Sequence, residues 1–217
     1  MFLGHFGLAL GAKRVAPRPS LGTLVLAAQL ADGLWPIFLL FGWEMVEIAP
    51  GTTAVTPLLF KSYPYSHSLA ADFLWAALLG GGYYAVRRDR NGALWIGALV
   101  ISHWVLDFVS HAPDMPLLPG GPRIGLGLWY SLPATLAVEF LLFGAGVWIY
   151  ASVTRPTDRL GTWLLWTFVA LLAVLYLAAV FGPPPPSVNA LAASGLAGWL
   201  FVAWAYWIDK HRVLADT

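Results

Sequence analysis

Seven runs of apolar residues alternate with polar or proline- and glycine-rich stretches along the chain. The runs cover residues 1–12, 21–43, 65–86, 93–111, 132–152, 160–182 and 191–208. A helix needs about 20 apolar residues to cross the hydrocarbon core of a bilayer, so the first run is short and the other six are long enough. The pattern predicts an all-α protein, a polytopic membrane helix bundle with about six to seven transmembrane segments.

The composition agrees with a membrane protein. Hydrophobic residues make up 59% of the 217 residues and charged residues 11%, whereas a soluble domain carries about 25% charged residues. The formal net charge of +1 gives no basis for nucleic-acid binding. Because the chain has no cysteine, disulfides and thiolate metal ligands are excluded.

Basic residues are distributed unequally between the connections. Ten of the twelve Lys and Arg residues lie in alternate connections, at 13–18, 87–90 and 155–159 and in the tail, and only Lys61 and Arg123 lie in the others. Since cytoplasmic loops carry the excess of basic residues, this distribution predicts a cytoplasmic C-terminus. The lipid bilayer is therefore the first expected partner.

Histidine and acidic residues occur inside or at the ends of several apolar runs. His103, Asp107 and His111 are four residues apart, so they lie about one turn apart along one face of a helix. An ionisable residue within a membrane is costly and is a functional hypothesis by default. The predicted topology brings further such residues to a similar depth, in the outer half or near mid-membrane: His5, Asp32, His67 and Glu139.

Imidazole and carboxylate groups in this arrangement favour a divalent metal site. They are the ligands that zinc and similar ions use, and a catalytic site keeps one position open for water. We predict one or two ions, zinc first and manganese as the alternative, with ligands drawn from His5, Asp32, His67, His103, Asp107 and His111. Asp32 and Glu139 are the predicted catalytic residues, because a spare carboxylate can serve as general base.

Each of these residues also has a simpler explanation. His103 and Asp107 can form a buried hydrogen-bonded pair that fixes helix packing, and Glu139 can be a packing residue or a partner of a ligand. His111, at a helix end, can be a solvated surface histidine.

Two further acidic residues are expected outside the metal site. Asp72 lies four residues after Ser68 and is expected to accept a hydrogen bond from its hydroxyl group. Asp114, beside Pro113, is expected to be a turn residue.

The order of the candidate ligands resembles that of a known family. Five short motifs carry the likeness: Gly4-His5, Asp32, His67-Ser68, Ser102-His103 and Asp107. They resemble the LexA-regulated, membrane-bound bacterial family of metal-dependent hydrolases. The order of ligands is also similar to that in zinc-dependent phospholipase C and S1/P1 nuclease, which are helical phosphoesterases. The resemblance covers roughly residues 1–122.

This resemblance implies specific roles and a location. Asp32, His67, His103 and Asp107 would hold the principal ion, and Asp107 would bridge to a second ion near His5. Residues 1–122 would form a helical core that bears the metal site, and residues 123–217 would add transmembrane helices to the same single domain. The protein would lie in the bacterial inner membrane.

Three function classes remain open from the sequence. The first is a membrane-embedded metal-dependent hydrolase that acts on a phosphoester or lipid-like substrate from the outer side. The second is a cation- or proton-coupled permease, in which the same His and Asp groups form a relay. The third is a structural membrane subunit, in which these groups join helices. No Gly-x-Ser-x-Gly motif is present, which argues against a serine hydrolase.

Overall fold

The computed structural model describes residues 1–215 as a bundle of α-helices. In chain order the helices are α1 (Leu3–Gly11), α2 (Leu21–Ala28), α3 (Leu30–Leu40), α4 (Leu69–Arg87), α5 (Arg90–Ser110), α6 (Leu132–Val153), α7 (Arg159–Phe181), α8 (Val188–Leu196) and α9 (Gly198–Lys210). Short strands outside the helices form three antiparallel pairs within residues 1–215: β1 (Met45–Ile48) with β2 (Leu58–Ser62), β3 (Met115–Pro116) with β4 (Arg123–Ile124), and β5 (Thr154–Pro156) with β6 (Arg212–Leu214). The all-α prediction therefore describes the bundle, while the connections add short strands that it did not include.

Five helical segments within residues 1–215 are long and apolar enough to cross a membrane. They are α4, α5, α6, α7 and the pair α8–α9, which together cover Val188–Lys210. The pair α2–α3 makes a sixth candidate if its two helices, bent by 55°, count as one span. The first apolar run holds only the nine-residue α1 and a short 3-10 helix, which is less than the length of a span.

The bend between α2 and α3 lies at Gln29, in an apolar run without a glycine or proline at that point. At this bend, the carbonyl oxygen of Ala28 accepts a hydrogen bond of 2.8 Å from Nδ1 of His103. Irregular backbone at membrane depth is stable only where such partners replace the lost helical bonds. The break therefore depends on a tertiary contact with α5.

Helices α1 and α6 cross with their backbones in contact. A Cβ atom on Gly7 would lie 2.5 Å from the carbonyl oxygen of Leu142, and a Cβ atom on Gly146 would overlap the carbonyl oxygen of Gly7. Only glycine fits at both positions, because the opposing atoms belong to helical backbone and cannot move aside. This crossing fixes the position of α1, which carries His5.

The basic connections meet at one end of the bundle. Lys13 Nζ lies 3.3 Å from Asp209, and β5 pairs with β6 beside them. The β1–β2 and β3–β4 pairs lie at the other ends of α4 and α5, where Arg123 donates to the carbonyl oxygen of Lys61. The tertiary structure thus separates the charges as the sequence indicates, and the membrane side that each end faces stays a prediction.

Candidate metal centre

One buried face of α5, with the residue that follows it, presents His103, Asp107 and His111. The three residues are 1%, 2% and 3% exposed. Nε2 of His103 lies 3.2 Å and Nε2 of His111 lies 3.7 Å from Oδ2 of Asp107. Helical spacing alone explains this row, since side chains four residues apart are neighbours on a helix.

Three other elements bring side chains to Asp107 and His103. Nε2 of His5, on α1, lies 3.1 Å from Oδ1 of Asp107, and its ring stacks on that of His103 with centroids 3.8 Å apart. His67, just before α4, places Nε2 3.7 Å from Oδ2 of Asp107 and 3.5 Å from Oδ1 of Asp32. Asp32, on α3, is also 3.8 Å from Nε2 of His103.

These five residues form two overlapping groups that can hold a metal ion. His5, His103 and Asp107 make one group, and Asp32, His67 and His103 make the other; within each group the ligand atoms lie within 4.8 Å of one another. Ligands of a tetrahedral zinc ion lie roughly 3.3–3.6 Å apart, so small adjustments would close either group around an ion. Asp107 contacts members of both groups, a position that suits a bridging carboxylate.

Hydrogen bonds orient two of the histidines toward the centre. His103 donates from Nδ1 to the carbonyl oxygen of Ala28. His67 donates from Nδ1 to Oγ of Ser66 over 2.7 Å, because the Ser66 hydroxyl group itself donates to Oε2 of Glu44 over 2.6 Å. In the neutral form of each ring, Nε2 therefore carries no proton and faces the centre, as in metal-binding histidines.

We expect Glu44→Gln to weaken metal binding by about 10- to 100-fold, the usual loss when an outer-shell partner of a ligand is removed. Glu44 accepts hydrogen bonds from the Ser66 hydroxyl group and from the backbone amides of Tyr65 and Ser66. An amide side chain replaces one acceptor by a donor and disturbs the chain of bonds to His67. Titration of the metal-free protein with zinc measures the change.

A matched control for this variant is Glu47→Gln. Glu47 lies three residues further along, is exposed, and pairs with Lys61 over 2.9 Å. Its replacement should leave zinc affinity unchanged. Equal affinities for the wild type and Glu44→Gln would contradict the orienting role of Glu44.

Several buried polar atoms of the site have no hydrogen-bond partner within residues 1–215. They are Nε2 of His103, Nδ1 of His5 and both carboxylate oxygens of Asp72. Nε2 of His103 lies 3.2 Å from a carboxylate oxygen of Asp107, a contact that requires a proton on the nitrogen or a cation between the two atoms. Unpaired buried polar atoms are rare in native proteins. The histidine and aspartate side chains of the site and these unpaired polar atoms therefore fit a bound cation.

The prediction that Ser68 donates to Asp72 is wrong. The Ser68 hydroxyl group donates to the carbonyl oxygen of Pro64 over 2.6 Å and caps the first turn of α4. Asp72 is 0% exposed, and its strongest electrostatic interactions are with His103 and His67. Asp72 is therefore a carboxylate beside the metal groups that sequence reasoning missed.

The alternative of a solvated His111 is also wrong, because the rings of Phe60, Tyr63 and Trp129 pack against it and leave it 3% exposed. Nδ1 of His111 lies 3.0 Å from Oδ1 of Asp114, which accepts a further bond of 2.7 Å from the Tyr63 hydroxyl group. Burial lowers the pKa of His111 and raises that of Tyr63, so both side chains are held neutral. Asp114 lies in a turn, as predicted.

Glu139 supports α1 and belongs to neither group. Its Oε1 accepts from the backbone amide of Phe2 over 2.8 Å, and its Oε2 accepts from that of Gly4 over 2.7 Å. These amides are among the unpaired donors at the start of a helix. The amino group of Met1 contacts Asp107 beside them. Both oxygens of Glu139 are thus occupied, which leaves Asp32 as the freer of the two predicted catalytic carboxylates.

Comparison of the chain with protein-family models, with curated proteins and with solved structures finds no match. The family resemblance stays a prediction, and the case for function rests on the geometry of the site.

Proposed function

We propose that the protein is a membrane-embedded metal-dependent hydrolase that acts on a phosphoester or lipid-like substrate. The observation that carries the proposal is the convergence of five possible ligand side chains, from four parts of the chain, in two overlapping groups: His5, Asp32, His67, His103 and Asp107. Burying ionisable groups in an apolar bundle is costly, and a cluster of this kind is typical of functional sites.

The site would hold one or two divalent ions, with zinc as the main candidate and manganese as the alternative. A bound ion polarises a phosphoryl or acyl oxygen and lowers the pKa of its water to about 7. His67 and His103 serve as fixed nitrogen ligands, since their Nδ1 atoms are already engaged. The side chain of Asp32 is 37% exposed, whereas those of His67 and His103 are at most 4% exposed, so Asp32 is the group that reaches substrate.

Access from the outer face of a bacterial inner membrane is supported by the position of the site. Asp107 and His111 lie near the end of α5 that is opposite the basic connections. If those connections are cytoplasmic, as the positive-inside rule predicts, the site opens toward the outer leaflet.

Reconstitution of the protein in phospholipid vesicles with zinc or manganese tests this function. We expect hydrolysis of members of a panel of lipid phosphomonoesters and phosphodiesters, with activity lost on chelation. Asp107→Asn should lower the rate by more than about 100-fold, since losing an outer-shell partner alone costs 10- to 100-fold. His211→Ala is the control, because His211 pairs with Asp158 away from the site.

Two results would overturn the hydrolase. One is hydrolysis that persists without metal or in Asp107→Asn. The other is a metal-loaded protein that carries cations across the vesicle membrane and hydrolyses nothing, which is the behaviour of the permease.

A further inference from the structure

A cavity of about 230 Å³ adjoins the metal groups between α1, α3, α8 and α9. Its wall is mostly apolar and aromatic, with contributions from Phe2, Phe6, Leu26, Trp199, Phe201 and Val202. Pockets for small molecules are lined in this way, with a few polar groups that fix the orientation of the ligand. The size approaches the lower end of such pockets, which is about 300 Å³.

The polar end of this cavity is Asp32. The same carboxylate belongs to the group with His67 and His103, so the cavity and the metal groups share one residue. Any molecule that fills the cavity therefore lies directly against a predicted metal ligand.

Two buried donors in the cavity wall have no partner within residues 1–215. They are Nε2 of Gln29, a residue that is only 9% exposed, and Nε1 of Trp35. Asp32 and Trp35 lie on successive turns of α3, and Gln29 lies at the bend just before this helix, three residues before Asp32. A buried donor without a partner is unfavourable, and an acceptor atom of a ligand would satisfy it.

We infer that the cavity binds the hydrocarbon chain of an amphiphilic substrate. A phosphoryl oxygen of its head group would accept hydrogen bonds from Gln29 and Trp35, beside Asp32, one of the residues that would hold a metal ion. The inference rests on the proposed function. It adds the site of the substrate's hydrocarbon chain and the residues that bind its phosphoryl head group. A wholly polar substrate would leave the aromatic wall uncovered, and a simple hydrocarbon would leave both donors unpaired.

Photolabelling in vesicles tests this arrangement. The probe is a dodecyl phosphonate with a photoreactive group in its chain, which a hydrolase cannot cleave. With zinc-loaded protein we expect labels on α3, α8 and α9, mapped by peptide mass spectrometry. Ser194→Phe, which adds a ring to the cavity wall, should reduce this labelling at least fivefold, and Gln29→Leu should weaken probe binding without filling the cavity.

The matched control is Ala193→Phe, an exposed neighbour of Ser194 on α8 that does not line the cavity. It should label as the wild type does. Metal-loaded protein that labels elsewhere, or labels equally in Ser194→Phe, would overturn the inference and leave the hydrolase standing. Protein that binds no metal overturns both together.

Discussion

Asp107→Ala is expected to abolish stoichiometric metal binding, and His103→Ala is expected to do the same. Asp107 has Nε2 atoms of four histidines within 3.7 Å, and His103 belongs to both groups of potential ligands. Loss of His103 removes a ligand from both groups, and loss of Asp107 removes a ligand from one group together with the carboxylate that contacts members of both. Elemental analysis of detergent-purified protein, loaded with zinc or manganese, measures the bound metal.

The control for these variants is again His211→Ala, which removes a histidine from the opposite end of the bundle and should retain the metal. A folded wild-type protein that holds no metal after reconstitution would contradict the metal centre. So would metal retained at full stoichiometry in both variants, because the ligands would then lie elsewhere.

Gly146→Leu should destabilise the protein and displace α1 from the bundle. A side chain at this position meets the backbone of Gly7, which cannot rotate away as a side chain does. Overpacking in a rigid core costs typically 1–3 kcal/mol, and a backbone clash belongs at or above the upper end of that range. Because α1 carries His5, the variant should also lose one of the two ligand groups. Thermal unfolding in detergent and metal content measure the two effects.

Gly144→Leu tests whether the effect is specific to the crossing. Gly144 lies on the same helix, and a Cβ atom there would meet nothing within 4 Å. This control should unfold at the wild-type temperature or slightly above it, because leucine favours helix more than glycine does. Equal stability of Gly146→Leu and the wild type would show that α1 and α6 do not cross as closely as described.

The row of candidate ligands along one face of α5 could be predicted because its geometry is local. Four-residue spacing in a helix fixes the neighbours of Asp107 whatever the rest of the chain does. His5, Asp32 and His67 were named from their residue type, their predicted depth and a family resemblance, and the structure brings all three to that row. Their convergence depends on helix packing, which periodicity does not encode.

The errors at Asp72 and His111 have two different physical causes. The four-residue spacing predicted a hydrogen bond from the Ser68 hydroxyl group to Asp72. The hydroxyl group instead caps the start of α4, where it accepts from the backbone amide of Ala71. A helix end suggested solvent around His111, but aromatic rings from two connections, Phe60 and Tyr63 from one and Trp129 from the other, cover it. Glu44 carries no sequence signal at all, because it reaches His67 only through the fold of that connection.

The sequence by itself determined an apolar helical bundle, the separation of basic connections from acidic and histidine residues, and the stripe on α5. These features follow from hydropathy, charge and helical repeat, which act over neighbouring residues. Only the tertiary structure decided that the second run bends at Gln29. It also decided that Glu44 orients His67 and that an apolar cavity adjoins Asp32. Each of these depends on groups far apart in the chain competing for the same hydrogen bonds and the same space.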